Sequence, residues 1–338
     1  MLMIFLQMKI LVTGGCGFIG SNFIKYLFSD PEIQKDIEII NVDKITYAGN
    51  GKNIEHMDIF SNENYLFIKA DICDKKEIDR ILSEHKPEII FNFAAESHVD
   101  RSIFDSDSFE KSNFLGACNL FKSALKHNIG KIIQISTDEV YGSIKGGSFS
   151  EDSNFNPSSP YSSTKAAADL FALTLFKTHN LPVIITRSAN NFGPYQFPEK
   201  ILPLFITNLI EGNKVPLMWS EENPGLNIRD WLHVNDNCRA IWFIANKGKL
   251  GDVYNISGEN EKTNIEITKM LLNHFGLGEE MINKIPHRKA HDFRYSIKGD
   301  KLKELGFEHS HKDLNEEIKK LIEWYKNNPD WWKPLKEK

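Results

Sequence analysis

Short apolar runs rich in Ile and Val punctuate the first half of the chain: KILVT (9–13), IEIINV (37–42), YLFIKA (65–70), EIIFNFA (88–94), KIIQI (131–135) and PVIITR (182–187). They are too short for helices, and most lack the apolar–polar alternation of a half-exposed strand. That pattern predicts strands buried on both faces. Between most of them the spacing turns helical, at 17–29, 75–85, 106–127 and 159–179. Buried strands alternating with helices predict an α/β fold, a doubly wound parallel sheet.

The second half is less regular. Pro and Gly interrupt it at NNFGPYQFPEK (190–200), WSEENPGLN (219–227) and SGENEKTN (257–264), and helical spacing returns at 264–275 and 314–326. These pieces predict a smaller, discontinuous α/β domain facing a substrate. The expected division is 8–187 plus 230–258 for the sheet domain and 188–229 plus 259–338 for the smaller one. Residues 1–7 are expected to be an extension, since MKILVTGG starts cleanly at Met8.

Composition narrows the picture mainly by exclusion. At 338 residues the chain has room for about two domains. A net charge of −5 without a basic cluster argues against nucleic acid. The apolar N-terminal run is too short to span a membrane, so no membrane partner is expected. Four scattered cysteines with no CxxC pair suit a reducing cytoplasm. The histidines form no ligand-spaced cluster, and no metal is expected.

The chemistry begins at VTGGCGFIG. Gly14, Gly17 and Gly20 fall directly after the first strand and open a helix, where a tight turn lets a pyrophosphate approach backbone N–H groups. Asp43 ends the next strand, placed to accept from an adenosine ribose and to repel a 2′-phosphate, which favours NAD over NADP. Asp71 is expected near the adenine. The sheet domain is thus expected to be an NAD-binding Rossmann-type domain. Tyr161 and Lys165, four apart on a predicted helix, face the same side. The ammonium is expected to lower the phenol's pKa, making tyrosinate a base near neutrality. Together these features resemble the extended short-chain dehydrogenase/reductase superfamily, which implies NAD-dependent oxidation at a sugar carbon.

STDEVYG (136–142) asks for more. Thr137 supplies the hydroxyl such oxidations use, but Asp138 and Glu139 add two carboxylates at the end of a core strand. Water elimination next to a ketone needs a base for a C–H proton and an acid for the departing hydroxyl. Adjacent carboxylates in a closed site push their proton affinities apart, which suits one of each.

From about Met8 to the C-terminus the chain resembles the dTDP-glucose 4,6-dehydratases. The stretches TGGCGFIGSNF, DKITYAGN, FNFAAESHVDRSI, STDEVYGS, SPYSSTKAAAD, NNFGPYQFPEK, IRDWLHV, YNISGENEKTN and WWKPLK carry the resemblance, in the family's order. It implies three steps on one sugar nucleotide. Tyr161, assisted by Thr137 and Lys165, removes the C4 hydroxyl proton while hydride passes to NAD. Glu139 takes the C5 proton while Asp138 protonates the C6 hydroxyl. Hydride then returns to C6 and a proton to C5, leaving a 4-keto-6-deoxy sugar and regenerated, tightly bound NAD. The resemblance also carries over Phe18, Ile19, Lys44, Thr46, Ile72, Ala94, Ala95, Ser97 and Asn191 as cofactor residues. Ser97, Thr137, Asn190, Lys200, Ile201, Arg229, Asn264, Arg288, His291 and Tyr295 carry over as substrate residues. It implies a homodimer built through a four-helix bundle.

The sequence departs from the family at PLMWSEENPGLNIRDW, where Met218 replaces an expected tyrosine and about four extra residues precede Arg229. Ala189 and Phe192 are smaller changes, and Ala290 replaces a glycine. The departure near Met218 leaves UDP-glucose or UDP-N-acetylglucosamine open as substrates. An epimerase and a non-catalytic NAD-binding regulator are the further alternatives; Asp138 and Glu139 argue against the first, the intact Thr137, Tyr161 and Lys165 against the second.

Overall fold

The computed structural model describes residues 7–336. Residues 1–6 of the expected extension lie outside the described residues; Gln7 donates from its side chain to the Lys35 carbonyl at 3.2 Å.

Seven parallel strands form the central sheet: β1 (Met8–Thr13), β2 (Ile37–Asp43), β3 (Tyr65–Lys69), β4 (Ile89–Asn92), β5 (Lys131–Thr137), β6 (Val183–Ser188) and, after an interval, β10 (Val253–Ile256). Their order is β10-β6-β5-β4-β1-β2-β3. Alternation along β1 shows why it is central. Ile10 and Val12 join one apolar core with Phe23, Ile24 and Leu27 of the helix Phe18–Ser29 and Ile241 and Ile244 of the helix Val234–Lys247. Leu11 joins the opposite core with Ile81, Leu120, Phe121, Ala168 and Ala172. Each fully buried Leu or Ile is worth roughly 1.5–3 kcal/mol, so a strand apolar on both faces is stable only between two helical layers.

The chain runs outward from β1 to β3, then crosses back to β4 and runs outward the other way. Between β1 and β4 the direction reverses, and the crevice beyond the strands' carboxyl ends at such a switch point is where doubly wound folds take ligands.

A third core gathers Phe192, Leu202, Phe205, Ile267, Leu271, Ile318, Tyr325 and Trp332. Around it lie a three-stranded sheet, β7 (Asn190–Phe192), β9 (Ile228–His233) and β11 (Glu261–Thr263), and a pair, β8 (Val215–Met218) with β12 (Ile282–Ile285). The sequence pattern missed every strand from β7 to β12, three to six residues long, and the helices Ile201–Ile210 and Val234–Lys247.

One expected helix is not continuous. The run 106–127 contains a π-helical segment, Glu110–Gly116, before the α-helix Ala117–Lys126. The wider turn carries Asn113 and Ser112 to the crevice. Asn113 accepts from the Glu96 N–H (2.8 Å) and donates to the Glu96 carbonyl (2.9 Å) and Thr164 Oγ1 (3.1 Å). Ser112 Oγ meets Lys44 Nζ at 2.7 Å.

Candidate active site

A cleft open to solvent at its mouth occupies the switch point. Its floor depends on two glycines. Gly14 has φ 71°, and a Cβ there would lie 2.6 Å from the Ala94 backbone nitrogen. A Cβ on Gly20 would lie 2.3 Å from the Gly14 carbonyl oxygen. The loop after β1 is therefore packed directly onto the loop after β4 and onto the first turn of the helix Phe18–Ser29, which only glycine allows. Asp43 ties this loop down: its carboxylate accepts from Cys16 N at 2.9 Å and Ile45 N at 2.7 Å. Lys44 lies 3.8 Å from Asp71 and 3.7 Å from Glu96.

Gly14, Gly17, Phe18, Ile19, Gly20, Asp43, Lys44, Thr46, Asp71, Ile72, Ala94, Ala95 and Ser97 all line this cleft, and Tyr161, Lys165 and Lys200 line its far part. The residues fit a dinucleotide: a glycine cradle at a helix start, a carboxylate at the end of β2, and a tyrosine and lysine farther along. Asn190 and Asn191 do not line it; both lie in β7, and the Oδ1 of each is buried without a partner. Nor do Thr137, Asp138 and Glu139, just past the cleft-lining Ser136, or Ile201, Arg229, Asn264, Arg288, His291 and Tyr295, which the later segments hold beside the cleft or beyond it.

Tyr161 and Lys165 stand in the first turns of the helix Pro160–His179. Pro160 at its start and a capping box of Ser159 and Ser162 fix where it begins. Phe109 packs edge-on against the Tyr161 ring at 6.4 Å. Lys165 donates to the Ile135 carbonyl at the end of β5. Burial lowers Lys165 to about 8, against the pull of Asp169. The expected lowering of the Tyr161 phenol by Lys165 is not what the polypeptide alone produces. Burial, then the Glu139 carboxylate, push Tyr161 well above its usual range, and the Thr137 hydroxyl only partly offsets them.

β5 ends at Thr137, which caps a short 3-10 helix, Asp138–Tyr141. Thr137 Oγ1 accepts from Glu139 N (3.3 Å) and donates to Asp138 Oδ1 (3.2 Å). Asp138 Oδ2 is buried with no partner. Burial raises Asp138 well above the carboxylate range, reinforced by Glu139 and Asp230. Burial raises Glu139 too, but the cations Lys200, Arg229 and Arg288 oppose the shift. Both carboxyls are therefore raised, but unequally: Asp138 lies well above the carboxylate range, while the cations beside Glu139 hold its rise down.

Glu139 also receives the Tyr295 hydroxyl at 3.5 Å, and Tyr295 donates to Asp292 at 2.7 Å. Arg229 stacks on the Tyr295 ring at 4.3 Å and donates only to backbone carbonyls, of Ile228, Phe293 and Asp292. Lys200 donates to the Ser97 carbonyl at 3.0 Å. Arg288 pairs with Asp100 at 2.8 Å. Cations held by neutral acceptors, as Lys200 and Arg229 are, keep their charge available to an anion. His291 is depressed to about 3 by burial and by the arginines Arg229 and Arg288, so it stands neutral among them.

Sequence reasoning missed four acidic groups: Glu96 and Glu199 in the cleft wall, Asp230 behind Asp138, and Asp169. Asp169 was detectable, since it extends the four-residue spacing of Tyr161 and Lys165 by one more turn. The others come together only through the tertiary fold. A further group, His233, His311 and Glu317, gathers metal-type ligand atoms within 4.8 Å of one another. His233 Nδ1 already accepts from Asn235 N (3.2 Å) and Glu317 pairs with Lys320 (2.8 Å), which accounts for both without an ion.

A doubly wound sheet with a glycine cradle at its switch point and a Tyr-x-x-x-Lys helix beside it defines an NAD-type short-chain dehydrogenase/reductase. The family model described as GDP-mannose 4,6 dehydratase matches residues 11–321. A dTDP-glucose 4,6-dehydratase from Streptomyces niveus is 44% identical over 97% of this chain and 96% of its own length. The crystal structure of DesIV, a dTDP-glucose 4,6-dehydratase from Streptomyces venezuelae with NAD bound, aligns at TM-score 0.91 and 41% identity, covering 97% of this chain and 100% of its own. The dTDP-glucose 4,6-dehydratase from Bacillus anthracis in complex with NAD aligns at TM-score 0.87 and 43% identity, covering 97% and 99%. The chain belongs to the dTDP-glucose 4,6-dehydratase family.

Proposed function

We propose that this protein converts dTDP-glucose to its 4-keto-6-deoxy form by removing water across C5 and C6, with NAD resident in the cleft. The observation that carries the reading is the pair Asp138, buried, and Glu139, half-buried, just after β5 beside Tyr161: burial raises both, Asp138 well above the carboxylate range and Glu139 against three opposing cations. The loop after β1, Asp43, Thr46 and the Ala94–Ala95 backbone would hold NAD, with Asn191 and its unpartnered Oδ1 beside them. NAD, when bound, supplies the hydride acceptor for C4 and returns the hydride at C6.

The protein's own groups move the protons. Tyr161 takes the C4 hydroxyl proton, with Thr137 and Lys165 orienting the exchange. Once C4 is a ketone, Glu139 takes the C5 proton. Asp138, held protonated, gives its proton to the C6 hydroxyl, so that water leaves and a C5–C6 double bond remains. As the hydride comes back to C6, Glu139 hands its proton back to C5, and the proton taken by Tyr161 makes good the one Asp138 gave, by exchange with solvent. Lys200, Arg229 and Arg288 would hold the diphosphate; the charge they bring also opposes the upward push of burial on Glu139, the base. Asn190, Asn264, His291 and Tyr295 would complete the substrate wall.

The same reading makes the protein a cytoplasmic homodimer. Four unpaired cysteines support a reducing compartment. Leu115 and Leu170, both more than half exposed, support an apolar helical face for a second copy. Among the described residues no helix is long and apolar enough to cross a membrane.

The test is mass spectrometry of products after incubation, without added NAD, with dTDP-glucose, UDP-glucose and UDP-N-acetylglucosamine in separate reactions. Loss of one water from dTDP-glucose alone is expected. Loss from a uridine substrate alone would move specificity to the Met218–Asn227 region. No loss from any substrate, with NAD supplied, would overturn the reading.

A further inference from the structure

Asp169 lies one helical turn beyond Lys165 on the helix Pro160–His179, so the two share a face. It is completely buried and does not line the cleft. Oδ2 accepts from Arg187 Nε at 2.9 Å, while Oδ1 has no hydrogen-bond partner. Arg187 is itself fixed: it donates to the Tyr141 hydroxyl at 2.7 Å, and its guanidinium lies 4.5 Å from the Phe155 ring centre. A buried ion pair of this kind is costly, because desolvating two charges consumes most of their attraction, and an apolar pair of similar volume would serve packing as well. Its position next to Lys165 supplies a reason for keeping it.

Lys165 reaches into the cleft, but the atom it bonds is the neutral Ile135 carbonyl. The groups around it come from four elements. Its own helix supplies Tyr161 and Asp169. The end of β5 supplies Ser136, and the 3-10 turn supplies Asp138 and Glu139, which bear on Tyr161. From β6 comes Arg187, already paired with Asp169. Asp169 is the charge that acts on Lys165 against its burial.

We propose that Asp169 is a positioning residue for the reaction, acting through Lys165: its buried carboxylate, one helical turn from Lys165 and anchored by Arg187, is the counter-charge that keeps the Lys165 ammonium charged while the Ile135 carbonyl holds it in the cleft. The inference rests on the reading of Tyr161 and Lys165 as the proton-transfer pair, and the test separates the two.

Lysine side chains of the full-length protein, labelled at Cε, are titrated by NMR, with Lys165 assigned by its loss in Lys165→Met. The pH dependence of kcat/KM for dTDP-glucose dehydration is measured in parallel. In Asp169→Asn the Lys165 midpoint is expected to fall by about one pH unit or more, and the alkaline limb of kcat/KM to move down with it. At pH 8, with Lys165 starting from about 8, a one-unit fall is about a fivefold loss, approaching tenfold at higher pH and shrinking at lower pH. Asp169→Glu should restore much of both. Asp169→Asn strands a buried guanidinium and so risks misfolding; the double variant Asp169→Asn/Arg187→Met removes that charge and should show the same lowered midpoint. A Lys165 midpoint unmoved in either variant, or a moved midpoint with the alkaline limb unchanged, would overturn the proposal. Failure of the functional reading would show separately, as wild-type protein that removes no water from dTDP-glucose while Asp169→Asn still moves the Lys165 midpoint.

Discussion

Asp138 and Glu139 are adjacent in sequence and alike in chemistry, and only their surroundings tell them apart. Burial raises both; two other carboxylates reinforce it at Asp138, whereas three cations oppose it at Glu139. Activity should therefore follow a bell in pH. It falls on the acid side as Glu139 takes up a proton, and on the alkaline side as Asp138 and Lys165 lose theirs. Asp138→Asn, Glu139→Gln and Tyr161→Phe should each lower kcat by roughly 10²–10⁴-fold. The NAD released on denaturing each variant should match wild type, since none of the three changes the glycine cradle. A second residue departs from its family for a visible cost. Ala290 replaces a glycine and adopts φ 49°, the left-handed region that a Cβ disfavours by about 1–2 kcal/mol. Ala290→Gly should recover about 1 kcal/mol in denaturant unfolding, less whatever the freer unfolded chain takes back. No gain would mean that the loop pays nothing for the alanine.

At the scale of elements, the π-helical segment Glu110–Gly116 does what an unbroken helix could not: it aims Asn113 at the Glu96 backbone and Ser112 at Lys44. Asn113→Ala would leave the N–H and carbonyl of Glu96 short of partners in a half-buried wall. A loss of about 1–3 kcal/mol is expected, read as a lower denaturant midpoint at unchanged slope. Here the limits of the sequence pattern are physical. The β-branched runs 9–13, 131–135 and 182–187 could be read because a strand buried on both faces has one composition. The helix Pro160–His179 could be read because Ser159 and Pro160 mark its start. The π turn could not, because its apolar spacing through Phe109, Phe114, Ala117 and Leu120 suits an ordinary helix too. β7 and β11 could not, because three residues carry no period. Likewise Tyr161 and Lys165 were legible from their spacing, but Asp230 reaches Asp138, and Arg229 and Arg288 reach Glu139, only after the later segments fold back onto the sheet.

The whole molecule hides three histidines from protons. His98, His233 and His291 are pushed down to about 4, 3 and 3, each chiefly by burial and then by nearby cationic or titratable groups. Unfolded, each would bind a proton below about pH 6.5. The sign follows: as pH falls below that value the unfolded chain gains protons the folded one refuses, and stability drops. At pH 5 the loss is at most about 2 kcal/mol per histidine. The unfolding midpoint should therefore fall between pH 7 and pH 5, before most carboxylates titrate. His233→Asn, His98→Asn and His291→Asn together should flatten that dependence; an unaltered slope would place the acid sensitivity elsewhere.

The strand order has a consequence for how the chain is made. Synthesis delivers β1 first, and β1 ends up in the middle. Every later strand of the large sheet then joins a free edge: β2 and β3 on one side, β4, β5 and β6 on the other, β10 last. No newcomer has to be wedged between two strands already paired, so the sheet can grow on the ribosome by accretion from its centre. The exception is a waiting period. After β6 emerges its outer edge stays unpaired while residues 189–252 are still being translated. A nascent chain paused there presents an apolar, hydrogen-bond-hungry border to its neighbours, and that is the stage at which this protein depends most on being finished quickly or chaperoned.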